Sequence, residues 1–179
     1  MSGREYFEKV KKERSLFERI ISYIPGYRGY KEKELRRESD RLVRMAAVSR
    51  LRSAKDALRR SLTNPLVIAQ MSSEDAWRIQ TLLSKLDRVT QRIDRAVAGY
   101  AGLFDAVKVK EDKLDMVLEH DYSLISRAEE VRSKAKEAAS MKPGSDEWRA
   151  RIDELARLAD ELDGLVDKRT EILRGLATA

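Results

Sequence analysis

His120 is the only histidine and cysteine is absent, so few groups in the chain could carry nucleophilic, redox or thiolate-metal chemistry. Metal sites built on paired histidines are excluded within one chain, as is any catalytic triad that does not use His120 itself. Potential ligands gather in one place, at Asp112, Asp115, Glu119, His120 and Asp121. Asp115 and Glu119 stand one helical turn apart and could share a hard cation, yet the same spacing is the ordinary pattern of a solvated acidic helix face. Carboxylate-bridged di-metal bundles need Glu-x-x-His on two helices, and no such motif occurs. The glycines in Ile24-Pro25-Gly26-Tyr27-Arg28-Gly29-Tyr30 lack both the preceding strand and the following Gly-Lys-Ser/Thr of a phosphate loop. The expectation is therefore a non-enzyme, with no catalytic residue, no metal ligand, no cofactor and no evident small-molecule substrate.

The remaining groups suit binding. Tyr23, Tyr27, Arg28 and Tyr30 surround a Pro-Gly turn, and tyrosine and arginine are the usual anchors of protein interfaces; as a structural turn they would simply cover the end of a bundle. Residues 1–60 hold 18 Lys+Arg against 9 Asp+Glu, net +9, while the rest of the chain is net −3 and the whole is +6. The positive charge concentrates at Lys31, Lys33, Arg36, Arg37, Arg41, Arg44, Arg50, Arg52, Lys55, Arg59 and Arg60. Such a stripe can meet an acidic protein, RNA or anionic lipid, or be neutralised by the acidic remainder of its own fold. Tyr23, Tyr27, Arg28, Tyr30, Arg36, Arg37, Arg41 and Arg44 are the candidate partner-binding residues. Asp121 and Arg169 interrupt otherwise apolar seams and are expected to pair inside the protein, fixing register.

The elements that carry these residues are helices. Eight glycines, three prolines and 38% charged residues in 179 are the composition of long helices. Punctuation at Pro25-Gly26, Thr63-Asn64-Pro65, Ser72-Ser73-Glu74-Asp75 and Lys142-Pro143-Gly144 divides the chain into five predicted helices, near 4–24, near 31–62, from after Ser72-Ser73-Glu74-Asp75 (with Ser72 or Ser73 as the cap) to about 107, near 111–140 and near 145–176. The fifth has the cleanest seam, with Trp148, Ile152, Leu155, Ala159, Leu162, Val166, Arg169, Leu173 and Leu176 stepping alternately by four and three. The third and fourth repeat it. The second has two stripes, Leu35-Leu42-Ala46 and Ala47-Leu51-Ala54-Leu58-Leu62, so it should have two neighbours. The first gathers Tyr6, Val10, Phe17, Ile20, Ile21 and Ile24 in one sector, suited to docking on the bundle, to dimerisation or to a membrane interface.

These readings combine into an all-α, elongated antiparallel bundle of coiled-coil-like helices, with residues 1–30 forming an amphipathic helix and turn and residues 31–179 the bundle. No apolar run is long enough to span a bilayer and no secretory leader is evident, so a cytoplasmic protein, peripheral to the membrane at most, is expected. The function expected is that of a self-associating scaffold or interaction protein whose basic N-terminal half engages an acidic partner. The alternatives are a peripheral membrane protein acting through residues 4–24 and an RNA- or ribosome-associated protein acting through residues 31–62.

Overall fold

Three-four spacing of apolar residues leaves each helix unable to bury its stripe alone, and a computed structural model of the chain shows how the stripes are shared. It describes residues 16, 18–24, 32–96 and 111–177, as backbone alone at 32–40, 66–67, 70, 111–115, 117, 170 and 173–177. The fold is all-α: α1 (Glu32–Ser61), the short α2 (Pro65–Gln70), α3 (Ser73–Arg95), α4 (Glu111–Ser140) and α5 (Asp146–Ala177). The longest helices have 30, 30 and 32 residues, which makes a bundle about 45 Å long.

α1 packs on α3 and α4, and α5 packs on the same two, so the four long helices form a square with α3 and α4 on one diagonal. Successive long helices run antiparallel. The ion pairs give their registers. Between α4 and α5, Arg127 meets Glu161, Lys134 meets Glu154 and Glu137 meets Arg151, all with position numbers summing to 288. Between α3 and α5, Arg78 meets Asp153, Lys85 meets Asp160, Arg88 meets Asp163 and Arg92 meets Asp167, each pair 75 residues apart. A constant difference means that these two neighbours run parallel.

The predicted seams line the core. Trp148, Ile152, Leu155, Ala159, Leu162 and Val166 of α5 are buried, as are Ile79, Leu82, Leu86, Val89 and Ile93 of α3 and Ile125, Ala128, Val131, Ala135 and Ala138 of α4. Leu83, Leu124 and Leu158, outside the two-per-heptad pattern, are buried as well, because a helix in a square bundle faces two neighbours and needs a wider apolar face than a coiled-coil pair. Ala47, Leu51, Ala54 and Leu58 of the second predicted stripe line the core, joined by Val43 and Val48, while Leu62, just past the end of α1, and Leu42 and Ala46 of the first stripe are only partly buried.

Local chemistry sets the helix ends. Asn64 and Pro65 close α1 and also open α2: the Ile68 N–H bonds to the Asn64 carbonyl at 3.2 Å, and proline is well suited to a first helical turn because its missing N–H has no partner there. Sequence reading took the proline only as a stop and so lost this helix. Ser72 caps α3, its hydroxyl accepting the Asp75 N–H at 3.0 Å. The far end of α3 lies well before 107: Ala96 leaves the helical region at ψ 131° while its N–H turns back to the Ile93 carbonyl, and Arg44 Nη1 donates to the Ala96 carbonyl at 2.6 Å. The continuation of the third seam, from Val97 to Val107, falls outside the described residues. Between α4 and α5, the Ser145 N–H bonds to the Lys142 carbonyl at 3.1 Å across Pro143 and Gly144. Gly144 has φ +82°, the left-handed geometry that the third position of a type II turn demands.

Candidate partner-binding face

α1 carries most of the basic residues singled out above, and its position decides what they can reach. Arg50 is tied down on all sides: Nε donates to Glu129 of α4 at 2.8 Å, Nη1 to the Ala46 carbonyl at 3.0 Å and Nη2 to the Tyr23 carbonyl at 2.6 Å. Glu129 also accepts from Arg132. Burial works to raise the Glu129 pKa, but the hydrogen bonds from Arg132 and Arg50 outweigh it and hold the group below its ordinary value. On the other flank Arg52 meets Asp94 at 3.3 Å, and Lys55 and Arg59 share Asp87. Desolvation, reinforced by the charge of Arg59, lowers the Lys55 pKa. Four of the seven stripe residues whose side chains are described are thus neutralised by carboxylates of α3 and α4.

The other candidate residues are scattered. Arg41 is exposed. Arg44 is partly buried and braces the end of α3. Arg36 and Arg37 lie on α1 at positions whose side chains are outside the description, and Tyr27, Arg28 and Tyr30 are outside the described residues altogether. Tyr23 faces inward, its ring 6.4 Å from that of Tyr122 and 5.5 Å from the Arg50 guanidinium carbon. It belongs to a segment, 18–24, that packs on the bundle: Ile20 and Ile24 are buried in the common core, Arg19 lies over the Tyr122 ring at 4.2 Å, and it also donates to the Tyr122 hydroxyl. Phe17 is outside the described residues.

Asp121 and Arg169 are both buried. Their position numbers sum to 290, within two of the α4–α5 register, so they sit at nearly the same level. His120, also buried, places Nε2 2.7 Å from the Leu165 carbonyl, so that nitrogen carries the proton, and Nδ1 lies 3.7 Å from Asp121 Oδ1. Among the described residues no three potential metal-ligating side chains come together; Asp112 and Asp115 lie at positions described as backbone alone.

What sequence reading missed is the outward ridge of α1. Met45, Ser49 and Ser53 follow one another at intervals of four, so they share one line along the helix, and Met45 is 53% exposed. An open groove runs along each side. One, of about 540 Å³, lies toward α3 and is flanked by Val48, Arg52, Asp56, Arg60 and Asp94. The other, of about 470 Å³, lies toward α4 and is flanked by Ile24, Leu42, Ala46, Arg50, Glu129 and Arg132. A methionine followed at four and eight residues by serines, on a helix with apolar stripes on both sides, is the signal that could have found it.

A second feature was equally missed. Asp75, 2% exposed, takes a two-pronged pair from Arg149 of α5, at 2.7 and 2.9 Å, and a third hydrogen bond from the Ser72 hydroxyl at 2.7 Å. These bonds hold its pKa well below the usual carboxylate range. The cluster locks the start of α3 to the α4–α5 turn and is structural. Among the described residues no helix is long and apolar enough to cross a membrane. No family model, curated protein or solved structure matches the chain.

Proposed function

We propose that the protein is a non-enzymatic helical scaffold that binds an acidic protein partner through the outer face of α1, the basic N-terminal half of the chain supplying the complementary charge. The observation that carries this reading is the Met45-Ser49-Ser53 ridge with an open groove on each side. A half-exposed methionine is a flexible, polarisable contact of the kind used at adaptable binding surfaces. Exposed Arg41 and Arg60 stand at the two ends of the ridge, where rim charges steer an acidic partner without needing full desolvation.

Two observations rank the other readings lower. Binding RNA along α1 would draw on Arg50, Arg52, Lys55 and Arg59, which are already engaged by carboxylates. Membrane insertion of the N-terminal helix would draw on Ile20 and Ile24, which are buried against the bundle and would leave it with nothing to take their place. Self-association remains part of the proposal, with the net-negative remainder of a second copy as one acidic surface on offer.

The test is co-purification from the source cells of tagged wild type and of Met45→Glu, with bound proteins quantified by mass spectrometry at two salt concentrations. A specific partner should be lost from the variant and weakened by salt, since rim charge pairs are screened, while thermal unfolding of the two proteins stays alike. Equal capture by both would sink the assignment of this face.

A further inference from the structure

One end of the groove between α1 and α4 is closed by the chain itself. Ile24 forms part of its wall, and Ile20, one helical turn away, is buried in the core, with the Tyr23 carbonyl fastened by Arg50. Beyond Ile24 the groove stays open, with Leu42, Ala46 and Met45 on one side and Glu129 and Arg132 on the other. The resident segment therefore displays the chemistry that the groove accepts, a helix with an aliphatic pair at i and i+4. The rim adds a charge preference, because the Arg50 and Arg132 guanidinium groups converge on the single carboxylate of Glu129. That rim carries one positive charge in excess, which an acidic side chain entering the open part would balance. The groove on the α3 side has two arginines, two aspartates and, among the described residues, no resident segment, so neither argument applies to it.

We propose that the α1/α4 groove is an acceptor for an amphipathic helix of a partner protein, that residues 18–24 are its resident competitor, and that a partner helix with an aliphatic i, i+4 pair and an acidic flank displaces them. This is helix-in-groove recognition. It rests on the proposed binding role of α1 and deepens it by naming the class of partner and the element that regulates access.

The probe is a fluorescein-labelled peptide of residues 4–24, titrated with full-length protein and read by polarisation. Wild type should bind it weakly, because the tethered segment competes at an effective concentration on the order of millimolar. Ile20→Asp in the protein unseats that segment and should tighten peptide binding at least tenfold. Adding Ala46→Trp fills the groove wall and should abolish the gain; Leu42→Glu, read beside it, covers the case in which the tryptophan variant does not fold. A peptide carrying Ile20→Asp and Ile24→Asp should not bind, whereas a peptide extended beyond residue 24 by acidic residues should bind several-fold more tightly than the plain one, a gain that Arg132→Glu in the protein should remove. An Ile20→Asp protein with wild-type affinity, or a gain untouched by both groove variants, would overturn the inference. Loss of the cellular partner from Met45→Glu alongside such a result would leave the function standing without this mechanism. Tight peptide binding with equal partner capture would do the reverse.

Discussion

Replacing Asp75 by asparagine keeps the volume and the Ser72 cap but removes the charge. The carboxylate accepts three hydrogen bonds, two from Arg149 and one from Ser72, whereas the amide has one oxygen and turns an N–H₂ toward a guanidinium that can only donate. Breaking a fully buried pair costs about 3 to 5 kcal/mol. Here the Asp75 side chain is 3% exposed but that of Arg149 is 39% exposed and rehydrates when released, so about 2 to 3 kcal/mol is expected for the loss at Asp75. For a domain of this size the midpoint should fall by roughly 5 to 10 °C.

The cost must depend on pH. The folded-state pKa of Asp75 lies below its unfolded value of about 3.9, so its contribution is full above about pH 5 and is lost as the pH falls toward the folded value. Urea unfolding of wild type and Asp75→Asn at pH 7, 4 and 3 should show the gap between them closing with acidity. A gap under about 1 kcal/mol at pH 7, where a mere surface pair would lie, would refute the reasoning. So would a gap independent of pH, or additive losses when Arg149→Leu completes a double-mutant cycle.

Ile125 is fully buried at the centre of α4, and Ile125→Ala should cost about 2 to 5 kcal/mol in urea unfolding by opening a cavity that the square bundle cannot close. Asp121 and Arg169 are expected to couple: each alanine variant should cost about 3 to 5 kcal/mol, and the double variant distinctly less than the sum. Independent losses would place them on separate partners. The two tryptophans should report opposite environments, since Trp77 is 69% exposed and Trp148 is 1% exposed. Trp77→Phe should leave a blue-shifted emission shielded from acrylamide, and Trp148→Phe a red-shifted, readily quenched one.

Much of the bundle was legible because apolar spacing reports a stripe wherever one exists. The α4–α5 hairpin was legible in register too: a turn centred on Pro143 places facing residues at position numbers summing to about 286, against 288 in the ion pairs. The end of α3 was not, because the pattern Val97, Tyr100, Phe104 continues the seam beyond Arg95, where Ala96 turns out of the helix under the Arg44 side chain. A cap supplied from another helix leaves no trace in the local sequence. The candidate site was only partly legible for the same reason. The basic residues of α1 could be counted, but whether each was spent internally depended on the carboxylates of α3 and α4 that came to lie beside it.

The choice of neighbours was the hardest thing to see, and the charges explain how the protein makes it. Four seams of leucine, isoleucine and alanine are nearly interchangeable, so burial alone would permit an arrangement with α3 beside α4. Arg78, Lys85, Arg88 and Arg92 present a basic edge on α3, and Asp153, Asp160, Asp163 and Asp167 present an acidic one on α5 at a matching spacing. Each such exposed pair contributes little by itself, but a one-residue slip, or α4 in place of α5, would misalign the whole row. At the start of the row the polarity reverses, with Asp75 on α3 and Arg149 on α5, so a shift of α5 by one turn would set Arg78 against Arg149 and Asp75 against Asp146. The parallel α3–α5 pairing is selected by charge order, and it is this pairing that puts α1 beside α4 and so forms the groove closed at one end by Ile24.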